Sequence, residues 1–382
     1  MASSDGTAAA AALKARGYAG ILSSESAGVM AVMRQNAKWA LVPGYGYGDE
    51  DGPDDPMLEE FRAMRRALFT WRDWDKVAPV AYLAPFLQVI RSVETSGPIT
   101  GMALSAVHKV LKHGLIGESN PHAAQAMHAV ADAVTLCRFE ATDPDHDDVV
   151  LSKILHVLLE CMRCPTGRLL SDDDVCNIVQ ACYRIGHQSG KESALLRNLS
   201  RHTLREIVQS VFKRLPRLSD ALNHAHHIDA PVPPHPPTSP TSPGTKEGAD
   251  SEGGAGADSK EDEPEASTNK ENEVISPRAD ATAASDEFTP HGEPFGLACV
   301  LEIFRFACSF ISLDDPADEN AETMCAFGLQ LVLSSLESAG DDFAKHPALL
   351  TLVQDDLSRA VLAVAPAGNP PVLAATAATV LQ

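Results

Sequence analysis

The chain has 382 residues, 44% of them apolar and 5% aromatic, with 31 basic against 52 acidic side chains for a formal charge of −21. This is long enough for two or three domains with a sizeable core, and the acidic balance argues against a nucleic-acid binder, which needs a dense basic surface. No apolar run reaches the roughly 18 residues that suggest a membrane span, and "MASSDGTAAAAALKARG" lacks a basic start followed by a greasy core, so residues 1–20 read as a flexible Ala-rich tail rather than a signal peptide.

Beyond that tail the apolar residues recur at helical spacing. Helices are expected near 23–38, 57–72 and 77–92. "GYGYGDEDG" (Gly44–Gly52) has glycines but no following Lys-Ser/Thr, so it reads as a loop and not a phosphate cradle. In "GPITGMALSAVHKVLKHGLI", Ile99, Met102, Ala103, Ala106, Val107, Val110 and Leu111 share one helix face. Pro98 suits its start, Lys109, Lys112 and His113 its C-terminal end, and Gly114 the position just past it. A further helix is expected near 122–138.

"CRFEATDPDHDDVVLSKIL" (Cys137–Leu155) carries an acid at alternate positions, with His146 among them. A calcium loop counted from Asp143 fails twice, because Asp148 stands where Gly is needed and Ile154 where a bidentate Glu must ligate. A helix start fits instead. Thr142 or Asp143 caps, Pro144 enters the first turn, and Asp145, Asp147 and Asp148 meet the positive end of the dipole. Val150, Leu151, Ile154, Leu155, Leu158 and Met162 then define the buried side of a helix over 144–163.

Eight cysteines follow no disulfide framework. Cys161-x-x-Cys164 is half of a zinc site without a second half, since Cys176 and Cys182 are wrongly spaced, so the thiols read as small reduced hydrophobes. "GHQSGKE" is too short for a phosphate loop and has Glu192 where Ser/Thr must hold magnesium, so Gly186 and Gly190 read as the break between helices near 172–189 and 191–215. No GxSxG elbow supports a Ser/His/Asp trio, and the expectation is no catalytic, cofactor-binding or metal-binding residue.

After Pro216 the composition changes. Residues Pro216–Pro294 hold sixteen Asp/Glu against five Lys/Arg, eleven of the net negative charges, in a Pro-, Ser- and Gly-rich run with few large apolar residues. Such a segment buries too little surface to offset chain entropy, and residues 217–293 are expected to be a disordered linker. His224, His226 and His227 at its edge read as exposed histidines. Helices resume near 294–312, 320–338, 347–364 and 370–381. Convincing strand patterns are absent, and segments such as "VVLSKILHVLLECM" are apolar on more than one face. Such helices need neighbours on both sides, which an all-α armadillo/HEAT-like solenoid of stacked antiparallel helices supplies.

Four stretches, "SESAGVMAVMRQNAKW", "YLAPFLQVIRSVETSGPITGMALSAVHKVL", "CRFEATDPDHDDVVLSKILHVLLECM" and "NLSRHTLREIVQSVFKRLP", together resemble the N-terminal region of the large Golgi Arf guanine-nucleotide exchange factors, the GNOM-like group. That region is the DCB (dimerisation and cyclophilin-binding) domain, here spanning 21–216. "PFGLACVLEIFRFACSFISL" and "HPALLTLVQDDLSRAVL" resemble the start of the family's HUS domain, a partial one over 294–382. The resemblance implies a homodimer formed through the DCB domain, contact with the HUS domain of the same or another chain, cyclophilin as a partner, and peripheral attachment to Golgi or endosomal membranes from the cytoplasm. It also places Lys109 and Asp148 on the dimer surface, the cation of one subunit meeting the acid of the other. The Asn-aromatic-Asp-Cys box of the HUS domain is not found, and the sequence stops at Gln382 before any exchange domain, through which alone Arf would be engaged. The expectation is therefore a fragment, a truncated gene model or a regulatory-only product, non-catalytic in this chain, with exchange activity belonging only to a longer product and a generic helical-repeat scaffold outside the Arf pathway as the alternative.

Overall fold

The computed structural model describes residues 2–35, 55–140, 144–188, 193–218, 293–311, 319–365 and 370–381. They form thirteen α-helices: α1 (Ala2–Gln35), α2 (Pro56–Leu68), α3 (Pro79–Arg91), α4 (Gly97–Lys112), α5 (Ala123–Thr135), α6 (Pro144–Arg163), α7 (Asp172–Gln188), α8 (Ala194–Phe212), α9 (Leu297–Ser309), α10 (Glu319–Ala339), α11 (Pro347–Leu352), α12 (Ser358–Val364) and α13 (Pro370–Leu381). No strand forms among the described residues; Ser96 and Glu140 make an isolated bridge.

Local chemistry sets many of the helix ends. Proline opens α2, α3, α6, α11 and α13, where the missing N–H has no intrahelical partner in any case. The Asp55 carboxylate accepts from Met57 N at 2.8 Å to cap α2. At α7 the Ser171 hydroxyl accepts from Asp174 N (3.2 Å) while the Asp174 carboxylate accepts from Ser171 N (3.0 Å), a reciprocal box with Asp in the usual Glu position. Gly114 ends α4 at φ +62°, a backbone state that costs only glycine nothing.

The helices stack in two layers. One layer runs α2, α3, α5, α7, α9, α11; the other runs α1, α4, α6, α8, α10, α13; each helix touches the next in its row. Consecutive helices cross between rows as hairpins, α3 with α4, α5 with α6, α7 with α8 and α9 with α10. This is the expected solenoid, and its reason is the two-sided apolar character of the middle helices. Leu155 and Leu158 of α6 are fully buried, as are Val107 of α4 and Ile207 of α8, on the flanking helices of the same row. Each such side chain contributes about 1.5–3 kcal/mol by burial.

Three expectations are corrected. The tail expected to be flexible over 1–20 is helical from Ala2, and its end is tied into the core: Ala19 is buried, the Tyr18 hydroxyl donates to Gly114 O at 3.1 Å, and the Tyr18 ring meets Trp74 edge-on at 5.6 Å. Gly186 does not end a helix. It lies inside α7, where Ser200 of α8 sits so close that a Cβ would fall 2.3 Å from its hydroxyl, and that hydroxyl donates to Cys182 O at 2.7 Å. The helix expected over 347–364 is interrupted by a π turn at Val353–Leu357. The Gly44–Gly52 loop, the caps Thr142 and Asp143, Gly190, Glu192, the three linker-edge histidines and residues 219–292 lie outside the described residues.

Candidate functional site

Two seams in the second layer frame the chemistry. The first joins α4 and α6, which run side by side in the same direction: Val150 and Asp147 close over Gly97, Lys153 over Gly101, and His108 faces Glu160 at 3.9 Å. Glycines at 97 and 101 let the helices approach. A Cβ at either would already be 3.3 Å from Val150 or 3.2 Å from the Lys153 ammonium. That ammonium donates to Gly101 O at 2.9 Å, and burial lowers its pKa from the ordinary 10.5.

The two residues singled out for the dimer surface lie at opposite ends of this seam. Asp148 sits at the start of α6, level with the start of α4, and Lys109 in the last turn of α4. Twelve residues of helical rise put about 18 Å between those levels, so the two do not pair within one chain. Lys109 instead reaches back to α1, its ammonium 2.6 Å from Glu25, which is only 11% exposed. Pattern reading missed Glu25, because nothing local shows that α1 lies against α4.

The second seam joins α8 to α10 and is open. A cavity of about 290 Å³ is lined by Asn198, Arg201, His202 and Arg205 from α8 and by Thr323, Ala326, Phe327 and Gln330 from α10. Each set follows one helix face at i, i+3, i+4, i+7. Arg201 lies over the Phe327 ring at 5.6 Å and donates to Met324 Sδ at 3.7 Å. Burial holds its guanidinium below the usual arginine value, and the nearby Arg197 charge adds to this. Arg205 donates to Gln330 Oε1 at 2.7 Å. Among the described residues no carboxylate lines the cavity, and Glu206, next along α8, is held by Arg163 at 2.6 Å. The cluster was legible only as a basic stripe in "RNLSRHTLRE"; its other half comes from beyond the linker.

On the first-layer side, the segment after the linker is bonded directly to the segment before it. Phe295 N donates to Leu170 O at 2.8 Å and Gly296 N to the Asp172 carboxylate at 2.8 Å. Phe304 lies between Phe212 and Phe343, ring centres 6.2 and 5.4 Å away, and Tyr183 packs on Phe306 and Phe310.

The cysteines behave as the reduced hydrophobes expected. Cys161 and Cys164 are buried, the Cys164 thiol donates to Cys161 O at 3.4 Å, and burial pushes both thiols up. Gly167 lets the turn after α6 fold onto Cys161, whose carbonyl oxygen would lie 2.1 Å from a Cβ there. Among the described residues no group of three or more His, Cys, Asp or Glu is placed to hold a metal ion, and no helix is long and apolar enough to cross a membrane. The aspartates of the quoted stretch that are described, Asp147 and Asp148, sit at the start of α6 as helix-start chemistry requires.

The stacked layers and the docking of the late helices on α7 and α8 make the described residues an all-α helical solenoid. Residues 75–217 match the Mon2/Sec7/BIG1-like dimerisation and cyclophilin-binding domain, and residues 296–382 match the Mon2/Sec7/BIG1-like HUS domain. The chain belongs to that family, with its DCB and HUS domains in order. Several of its relatives are named as Arf exchange factors. It is 34% identical to the ARF guanine-nucleotide exchange factor GNL1 and 32% to GNOM, both of Arabidopsis thaliana, in each case over 95% of this chain and 26% of the relative. It is 31% identical to the Golgi-specific brefeldin A-resistance guanine nucleotide exchange factor 1 homolog of Caenorhabditis elegans, over 84% of this chain and 20% of the relative. The chain thus spans about a quarter of the length of the plant relatives it matches.

Proposed function

We propose that these residues are the regulatory and self-association region of a large Arf guanine-nucleotide exchange factor acting in Golgi and endosomal vesicle traffic, and that they are not themselves catalytic. The observation that carries this reading is the ordered pair of matches, DCB at 75–217 and HUS at 296–382, within relatives that are named as Arf exchange factors. In this reading 21–216 is the DCB domain and 294–382 the HUS part, with 217–293 as the linker between them. The DCB domain makes a homodimer and offers a surface to cyclophilin. Arf is engaged by a separate exchange domain, and the chain reaches Golgi membranes as a peripheral protein.

Lys109 and Asp148 are proposed at the dimer surface. Their placement on neighbouring helices about 18 Å apart suits a two-fold contact in which the Lys109 end of one subunit meets the Asp148 end of the other, so each pair occurs twice. Glu25 remains beside Lys109 and tempers its charge.

Two measurements test the reading. Purified chain added to Arf loaded with fluorescent GDP is expected to leave the release rate unchanged; chain-dependent catalytic release overturns the non-catalytic reading. Analytical ultracentrifugation over a dilution series is expected to show a dimer that dissociates on dilution; a monomer at every concentration removes the self-association role.

A further inference from the structure

The open α8/α10 seam sits in a chain whose overall charge of −21 repels anions, yet among the described residues its lining carries two arginines and a histidine and no acid. Surface arginines in acidic proteins ordinarily lie beside carboxylates, as Arg163 does with Glu206 and Arg168 with Glu118. Arg201 is held by a phenylalanine face and a thioether, and Arg205 by a neutral amide. These contacts fix the two guanidinium forks without using up their charge. Arg201 also loses part of its hydration to burial, and a bound anion offsets that loss. Asn198, Thr323 and Gln330 add neutral polar groups around the same space.

We propose that the groove between α8 and α10 is a binding site for a phosphate ester, and that the source it fits is the headgroup of a phosphorylated membrane lipid. Guanidinium forks match phosphate oxygens two at a time, and a phosphate with several oxygens satisfies more of these converging donors than a single carboxylate does. A volume of about 290 Å³ admits a phosphorylated ring rather than a bare ion. Leu195 lies one turn before Asn198 on α8 and at 82% is among the most exposed large apolar side chains described. A lone exposed leucine is ordinary; beside a cationic pocket it can enter the interface while the arginines hold headgroup phosphate. The site is built half from α8 and half from α10, so it exists only while the HUS helices are docked on the DCB helices. It goes beyond the regulatory reading and is independent of the dimer surface: loss of lipid binding leaves the sedimentation result untouched.

The experiment is flotation of the full 382-residue chain with vesicles of phosphatidylcholine alone and with phosphatidylcholine carrying phosphatidylinositol phosphate, alongside calorimetry with soluble inositol phosphate. The chain is expected to float only with the phosphorylated lipid and to be released as salt rises. Arg201→Gln with Arg205→Gln is expected to weaken binding about tenfold or more, the loss of two charge-assisted contacts. His202→Glu, at an exposed position that leaves packing alone, is expected to weaken it as well, which keeps the test sound if the double variant folds poorly. Arg65→Gln with Lys213→Gln removes the same charge from exposed positions outside the groove and is expected to leave binding intact. Binding of soluble inositol phosphate without vesicle binding keeps the phosphate site and assigns it a soluble ligand. Equal losses in the groove and control variants, preference for a phosphopeptide or an acidic peptide over the phosphorylated lipid, or no binding to either phosphate probe overturns the proposal.

Discussion

The α4/α6 and α8/α10 seams are made by the same geometric relation, adjacent helices of one layer, yet one is shut and the other open. At the first, Gly97 and Gly101 bring the backbones close, and Val150 and the Lys153 stem fill what remains. At the second, α8 offers Arg201 and Arg205 and α10 offers Phe327 and Gln330, side chains too long or too polar to interdigitate, and a cavity of about 290 Å³ persists. The difference shows that a stack of helices carries its own specialisation. Small residues at facing positions make a structural joint, whereas long polar ones held by neutral partners leave a place for a ligand.

The largest expected effect breaks the setting of the open seam. Phe304 is fully buried between Phe212 and Phe343. Phe304→Ala is expected to cost about 3–5 kcal/mol, read by urea unfolding, and to detach the late helices before α1–α8 melt. A single cooperative transition of unchanged midpoint contradicts the view that this trio joins the two domains.

Next comes a matched pair that compares the seams directly. Gly101→Leu forces a branched side chain between α4 and α6 and is expected to destabilise by about 1–3 kcal/mol. Ala326→Leu adds similar bulk to the open groove and is expected to stay within about 0.5 kcal/mol of the parent. Equal losses in thermal melts remove the distinction between the joints.

A smaller effect concerns self-association. Asp148→Lys and Lys109→Gln are each expected to weaken a DCB dimer by about 0–1 kcal/mol per pair, counted twice by symmetry. Circular dichroism is expected to stay unchanged. Lys109→Asp is the poorer probe, because it sets an acid against Glu25 inside the same chain. If both substitutions dimerise like the parent in ultracentrifugation, the two residues are ordinary surface charges.

The smallest effect is a pH dependence at the closed seam. Burial holds His108 below its ordinary 6.5, with Glu160 pulling it back up and His156, Lys112 and His113 pushing it down. As pH falls through 6.5 the unfolded chain takes up a proton that the folded chain resists, so stability declines on acidification until pH drops below the folded value. His108→Gln is expected to flatten that part of a stability-against-pH curve measured by urea unfolding, and an unchanged slope assigns the pH dependence to other groups.

Much of the helix content was legible before any coordinates. The buried face of α6, from Val150 through Met162, follows from 3.6-residue periodicity, and Gly114 from the need for a left-handed residue after the last turn of α4. These are local signals, carried by residues a few positions apart. Gly186 was misread for the complementary reason. A glycine that ends a helix and one that admits a neighbouring helix look alike in sequence, and only the presence of Ser200 across the joint tells them apart. The tail was misread too, because an Ala-rich run announces no core of its own, and Ala19 acquires one only from the helices it meets.

The all-helical class, most helix positions and, through the resemblance, the DCB and HUS family follow from the sequence alone. Which helices become neighbours is settled in the folded stack. Lys109 finds Glu25 at a separation of 84 residues, and Arg205 finds Gln330 at 125. Helical periodicity says which face of a helix is buried but not against what. That choice belongs to side-chain packing summed over the whole stack, and it is what turns a basic stripe on α8 and an aromatic face on α10 into one pocket.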